Sequence, residues 1–174
     1  MLKKLIILSI LYTLSPAQIL ISPIDAMQNT YSKSAKIQKR NVILTKEKAN
    51  KVQKKAKAKL KSKIFKYFIA KQEGEILGYG ILVSRKVRSN NAVTMYLIDT
   101  QGIIKSIEVI AFNEPLEFMA SEKWISQFDN TPSEKKLKVG RDIVTITGAT
   151  LTAQSLVDAS RIASAFYEVI LKDK

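Results

Sequence analysis

The chain contains no cysteine and no histidine. Without cysteine there are no disulfides, no thiolate metal sites and no cysteine nucleophile. Without histidine the commonest general base is missing, as is the commonest ligand for zinc, copper or haem. A Ser-His-Asp hydrolase is excluded and a zinc enzyme is disfavoured. Any redox chemistry must come from a bound organic cofactor. Acidic residues are also scarce in one place. Residues 33–66 hold 14 Lys/Arg and a single acid, Glu47, giving that window a net charge of +13. The whole chain carries +14, so the remainder is nearly neutral. The basic character belongs to one segment rather than to the molecule.

The 174 residues suit one domain, and the apolar and charged fractions are those of a globular protein. Lys3 and Lys4 precede an apolar run over residues 5–14, and small residues follow at Ser15, Ala17 and Ala26. This pattern reads as an export signal cleaved after Ala17 or Ala26, or as an uncleaved membrane anchor over residues 1–26. The run itself is shorter than the roughly 20 residues a membrane span needs, although Ile19 to Ile24 prolong it. The implied location is extracytoplasmic, in a periplasm, either soluble or held at the membrane by the N-terminus.

Residues 27–44 read as a polar linker and residues 45–174 as the domain. Thr45 is a candidate N-cap for a lysine-rich helix over about 45–70. Val52, Ala56, Leu60, Ile64 and Phe68 recur there every four residues and suggest one narrow buried stripe. Strand-like runs follow at 76–84, 92–98 and 103–112, with a hairpin turn at Asp99-Thr100-Gln101-Gly102. Residues 117–128 suggest a short helix bearing Trp124 and Phe128. Residues from about Thr152 to Leu171 form the clearest helix, with Leu156, Ala159, Ala163, Phe166 and Ile170 on its buried face. This order implies an α+β domain: a small antiparallel sheet with a lysine-rich N-terminal helix and a long C-terminal helix.

The C-terminal helix follows a turn of small residues, Thr147-Gly148-Ala149-Thr150, itself preceded by the strand-like Ile143, Val144 and Ile146. A helix N-terminus offers unpaired N–H groups and the positive end of the helix dipole. Gly148 lets a ligand approach the backbone. Thr147, Thr150 and Thr152 add hydroxyls, so the turn suits a phosphate. Chemistry alone leaves a plainer alternative open, in which Thr150 or Thr152 caps the helix.

Thr147-Gly148-Ala149-Thr150, followed by Leu151, Thr152 and a helix, resembles the flavinylation motif of FMN-binding domains. Such domains occur in the C subunit of the Na⁺-translocating NADH:quinone oxidoreductase and the G subunit of the RNF complex. Leu77-Gly78-Tyr79-Gly80, the hairpin at 99–103, Glu114 and the run 125–128 are similar to that family as well. The likeness covers about residues 45–172. It implies FMN bound through Thr147, Gly148, Ala149, Thr150 and Thr152, with Glu114 near the flavin. The FMN phosphate would be esterified to Thr150 by a dedicated flavin transferase. The protein would then be an electron carrier or redox-complex subunit rather than a stand-alone enzyme, serving a membrane-associated redox partner. One position departs from the pattern. The family has Asp three residues before the first residue of the motif, and here Val144 stands there, with Asp142 the nearest acid.

Several residues keep two readings. Glu114 is a flavin neighbour or a solvated turn residue. Trp124 and Phe128 shield the flavin ring or fill the core. The lysines of residues 46–66 form a solvated face, meet an anionic membrane surface, or dock an acidic partner. Nucleic acid is not implied, because aromatic residues are not interleaved with the lysines. Two alternatives to the carrier are a non-catalytic exported module that binds membrane or another anionic surface, and a family member that has lost its flavin.

Overall fold

The computed structural model describes residues 18–173. The apolar run 5–14 and Ala17 lie outside the described residues. The first described strand, β1, is short, Gln18–Ile19. Helix α1, Pro23–Thr30, starts where Ser22 accepts the Asp25 N–H at 3.1 Å, with Pro23 in the first turn. Strand β2, Lys36–Ile43, leads to α2, Lys46–Ala56. Strands β3 (Ile64–Gln72), β4 (Glu75–Lys86), β5 (Asn91–Asp99) and β6 (Ile103–Phe112) follow as a meander. Short turns and helix α3, Glu122–Ile125, lead to the two-residue β7, Thr131–Pro132. The long α4, Thr150–Phe166, continues as a π-helical turn over Tyr167–Leu171.

The strands form one antiparallel sheet in the order β1-β6-β5-β4-β3-β2, with β7 also paired to β6. The α+β class with a small antiparallel sheet and a long C-terminal helix is what the sequence implies. Helices α2 and α4 cover one face. There Phe65 stacks on Phe166 with centroids 4.5 Å apart, and Tyr67, Ile81, Tyr96 and Ile98 complete the layer. All five residues assigned to the buried face of α4 are buried. Helix α1 covers part of the other face, with Met27 against Met95, Phe68 and Leu97. No helix of the described residues is long and apolar enough to cross a membrane.

The N-terminal third differs from the sequence expectation. The lysine-rich helix ends at Ala56, not near 70, because Lys57 turns left-handed with φ 50°. Val52 and Ala56 are buried, but Ile64 is 58% exposed, so the four-residue spacing beyond Ala56 is coincidental. From Ile64 the β-branched and aromatic residues form a strand. Residues 27–44 are not a linker. They hold half of α1 and all of β2, and β2 pairs with β3 along its whole length. Their polar composition reflects an edge strand with lysines on its surface. The strand-like stretch at 143–146 joins no strand; a single bridge links Val139 and Ile143. The expected helix over 117–128 is broken into α3 and two 3₁₀ turns, Leu116–Phe118 and Ser126–Phe128.

The glycines of β4 serve packing. A Cβ on Gly78 would come within 2.5 Å of the Tyr31 ring, and one on Gly80 within 2.4 Å of the Met27 sulfur. The Leu77-Gly78-Tyr79-Gly80 pattern therefore receives α1. Tyr31 fixes that contact, since its hydroxyl donates to the carbonyls of Tyr79 at 3.1 Å and Ile98 at 2.9 Å.

Candidate functional site

The turn before α4 is built from its backbone. Ala149 donates its N–H to the Ile146 carbonyl at 3.1 Å, and Gly148 sits at φ 76°, a conformation that favours glycine. Ala149 occupies the N-cap position, and no side chain caps the helix. The Thr152 and Ala153 N–H groups both reach the Ala149 carbonyl, at 3.0 and 3.2 Å. The N–H groups of Thr150 and Leu151 and the Thr150 hydroxyl have no partner among the described residues. Thr147, Gly148 and Thr150 are exposed, and a Cβ at Gly148 would meet nothing within 4 Å.

Thr152 behaves differently. It is 2% exposed, and its hydroxyl donates to the Phe118 carbonyl at 2.6 Å. It anchors the 3₁₀ turn Leu116–Phe118 to the start of α4 and has no hydrogen left to offer a ligand. Phe118 in turn lies under the Arg88 guanidinium, 4.0 Å from ring centroid to carbon. The Glu114 carboxylate accepts the backbone N–H groups of Arg88, Ser89 and Asn90 at 2.9, 2.6 and 2.7 Å. Those N–H bonds, Asn90's first, hold the Glu114 carboxyl below its usual range. Glu114 thus closes the β4–β5 loop and positions Arg88.

Trp124 and Gln127 secure the other flank. The Trp124 indole N–H donates to the Val144 carbonyl at 2.8 Å, and the Val144 N–H donates to Gln127 Oε1 at 2.8 Å. Both backbone groups of Val144 are held while its side chain is 66% exposed. Phe128 is fully buried and belongs to the core; Trp124 is half-buried against it, edge to face. Asp142 does not stand in for the missing acid. Its carboxylate accepts from the Lys138 N–H at 2.9 Å and from Arg141 at 2.6 Å, inside its own loop. Arg141 chiefly lowers its carboxyl below the usual range.

The structure thus brings Thr147, Gly148 and Thr150 together at the open surface with Ala149 buried between them, places Thr152 beneath them, and engages Glu114 elsewhere. Three large apolar side chains stand exposed on the segments tied to this turn: Leu116, Val144 and Leu151. The supporting roles of Arg88, Phe118 and Gln127 follow no sequence spacing, since they come from three separate loops. The turn offers hydroxyls, N–H donors and the positive end of a 17-residue helix, but no general base. The chemistry open to it is binding or covalent attachment of a phosphate. Compared with models of known protein families and with characterised proteins, the chain matches none.

Proposed function

We propose that this protein is an extracytoplasmic electron carrier that holds FMN at the start of α4, with the flavin phosphate on Thr150. One observation carries the proposal: Thr150 is exposed, and its hydroxyl does not cap the helix. The plainer reading of the motif needs Thr150 or Thr152 as a cap, and the Thr152 hydroxyl bonds the Phe118 carbonyl instead. Two open N–H groups, an open hydroxyl and the lack of a Cβ at Gly148 fit a phosphate. Bound FMN would supply one- and two-electron redox chemistry, for which the chain has no cysteine or histidine of its own.

The residues divide the work. Thr147, Gly148, Ala149 and Thr150 receive the phosphate. Thr152 and Glu114 position the segments around them. Leu116, Phe118 and Leu151 would give the ring an apolar surface and exclude water from one side. A tether to Thr150 keeps the effective concentration high where free flavin is dilute. Val144 leaves the transferase-facing position exposed but without its carboxylate, so this substitution weighs on attachment more than on binding.

Co-expression of the full chain with a flavin transferase tests the proposal. The purified protein is expected to be yellow and to keep flavin through denaturation. Thr150→Ala is expected to carry none, and Val144→Asp to raise the loaded fraction. A colourless wild-type protein under those conditions overturns it.

A further inference from the structure

The sheet has one face that α1 covers only in part, and at one end of it Ile43 and Ile64 stand exposed. Registers locate that end: Ile43 lies opposite Ile64, Lys66 opposite Leu82, Ser84 opposite Val93, and Gln18 opposite Phe112. Side chains on the same face of a sheet occur at alternate positions. Phe68 packs under α1, so Ile64 and Lys66 face the same way, and so do Ile43, Leu82, Lys86 and Val93. Ile43 is 73% and Ile64 58% exposed. A cleft of about 310 Å³ opens beside them, with Leu60, Ile64, Leu82 and Val93 in its walls and Lys61 and Lys66 at its rim.

The surround is cationic. Lys61, Lys63, Lys66 and Lys86 are exposed, and none forms a salt bridge among the described residues. The acids of α2 and α4 are already paired, Glu47 with Lys51 and Asp158 with Arg85 and Arg161. Isoleucines ringed by unpaired lysines match the chemistry of an anionic bilayer surface: apolar tips for the interface and cations for phosphate headgroups.

We infer that this end of the sheet docks on an anionic phospholipid bilayer, with Ile43 and Ile64 entering the interface and Lys61, Lys63, Lys66 and Lys86 meeting the headgroups. The site at Thr150 reaches the same end, since Thr152 lines a small cavity with Val87, Ala92 and Phe112. It lies over the opposite, α4-covered face, so docking leaves it open to a partner in or near the membrane. The inference does not depend on flavin.

The chain has no native cysteine, so single-cysteine variants of the full chain report on single positions. Ile43→Cys, Ile64→Cys and, at the far end of the sheet, Glu75→Cys are labelled with an environment-sensitive dye. They are mixed with vesicles of phosphatidylglycerol and phosphatidylcholine, or of phosphatidylcholine alone. Dyes at 43 and 64 are expected to shift to the blue on the anionic vesicles only, and the dye at 75 on neither. Replacing Lys61, Lys63, Lys66 and Lys86 by alanine is expected to weaken the response at least about tenfold, since one lysine near an anionic surface is worth about fivefold. Attachment to vesicles through the N-terminal segment with no shift at 43 or 64 overturns the inference. So does a shift without vesicles that grows with protein concentration, which would assign the face to a second copy of the chain.

Discussion

Replacing Thr150 by alanine separates the two roles its hydroxyl can have. As a helix cap, the hydroxyl would contribute about 1 kcal/mol, the usual cost of changing a capping threonine to alanine. In the structure Ala149 holds the cap position and the Thr150 hydroxyl makes no hydrogen bond among the described residues. Alanine is also the better helix former, by at most about 0.7 kcal/mol and less at a helix end. The flavin-free protein is therefore expected to unfold at an unchanged or slightly higher denaturant concentration. With a urea slope of about 2 kcal/mol/M, the loss of a cap would lower the midpoint by about 0.5 M, well within measurement. Thr152→Val is the companion. That buried hydroxyl donates to the Phe118 carbonyl, and removing it is expected to cost about 1–2 kcal/mol, or about 0.5–1 M in midpoint. If Thr150→Ala falls as far as Thr152→Val, the hydroxyl is structural and the assignment of a phosphate to it fails.

Other outcomes follow from the same geometry. Glu114→Gln is expected to loosen the β4–β5 loop and destabilise the protein near neutral pH. The native Glu114 carboxyl is depressed below its ordinary 4.5, so its contribution is present above that value. The gap between wild type and variant is expected to close as the pH drops through the ordinary value and below the depressed one; a gap independent of pH would refute the account. Asp158 bridges Arg85 and Arg161, all three side chains less than a fifth exposed. Asp158→Ala leaves both guanidinium groups without a carboxylate partner and is expected to cost about 3 kcal/mol in urea unfolding. If the signal is cleaved, intact mass is expected to place the new terminus at Gln18. Cleavage after Ala26 would remove β1, the Ser22 cap and half of α1, so a chain starting at Met27 would contradict the importance given to that packing.

The sequence reveals an element where a local rule and the tertiary environment agree. Strands β4 to β6 and the buried face of α4 show clear patterns, and the Asp99 hairpin has its turn chemistry in place, with Asp99 Oδ1 accepting the Gln101 and Ile103 N–H groups. Strand β3 was obscured because Phe65, Tyr67, Phe68 and Ala70 are buried on two faces, which erases alternation and leaves a run that imitates helical spacing. Strand β2 was obscured by its lysines. At the site, the turn was legible because glycine and small residues before a helix have local meaning. The supports were not, because Glu114 reaching the 88–90 loop and Trp124 reaching Val144 are contacts between distant loops that no spacing records.

The basic segment joins two requirements that its composition alone keeps apart. Residues 33–66 look dispensable, yet they supply β2, α2 and the first residues of β3, and Val52 and Ala56 are buried against the core. The charge cannot be removed by truncation without removing an edge of the sheet. Nor does the fold neutralise that charge. Of the cations in this segment, only Lys51 and Lys55 form salt bridges among the described residues, with Glu47 and with Glu168 at the end of the α4 helix. The exposed Lys51–Glu47 pair contributes at most about 1 kcal/mol, and the Lys55 pair involves one lysine only, so the two do not explain the accumulation of lysine. Self-repulsion among so many cations opposes compaction. A fold that tolerates it gains most when a countercharge arrives from outside. The exposed isoleucines at the end of the same segment specify a surface that is apolar as well as anionic. Charge reversal at Lys61 and Lys63, which leaves every buried contact in place, is therefore the change that separates the segment's structural role from its docking role.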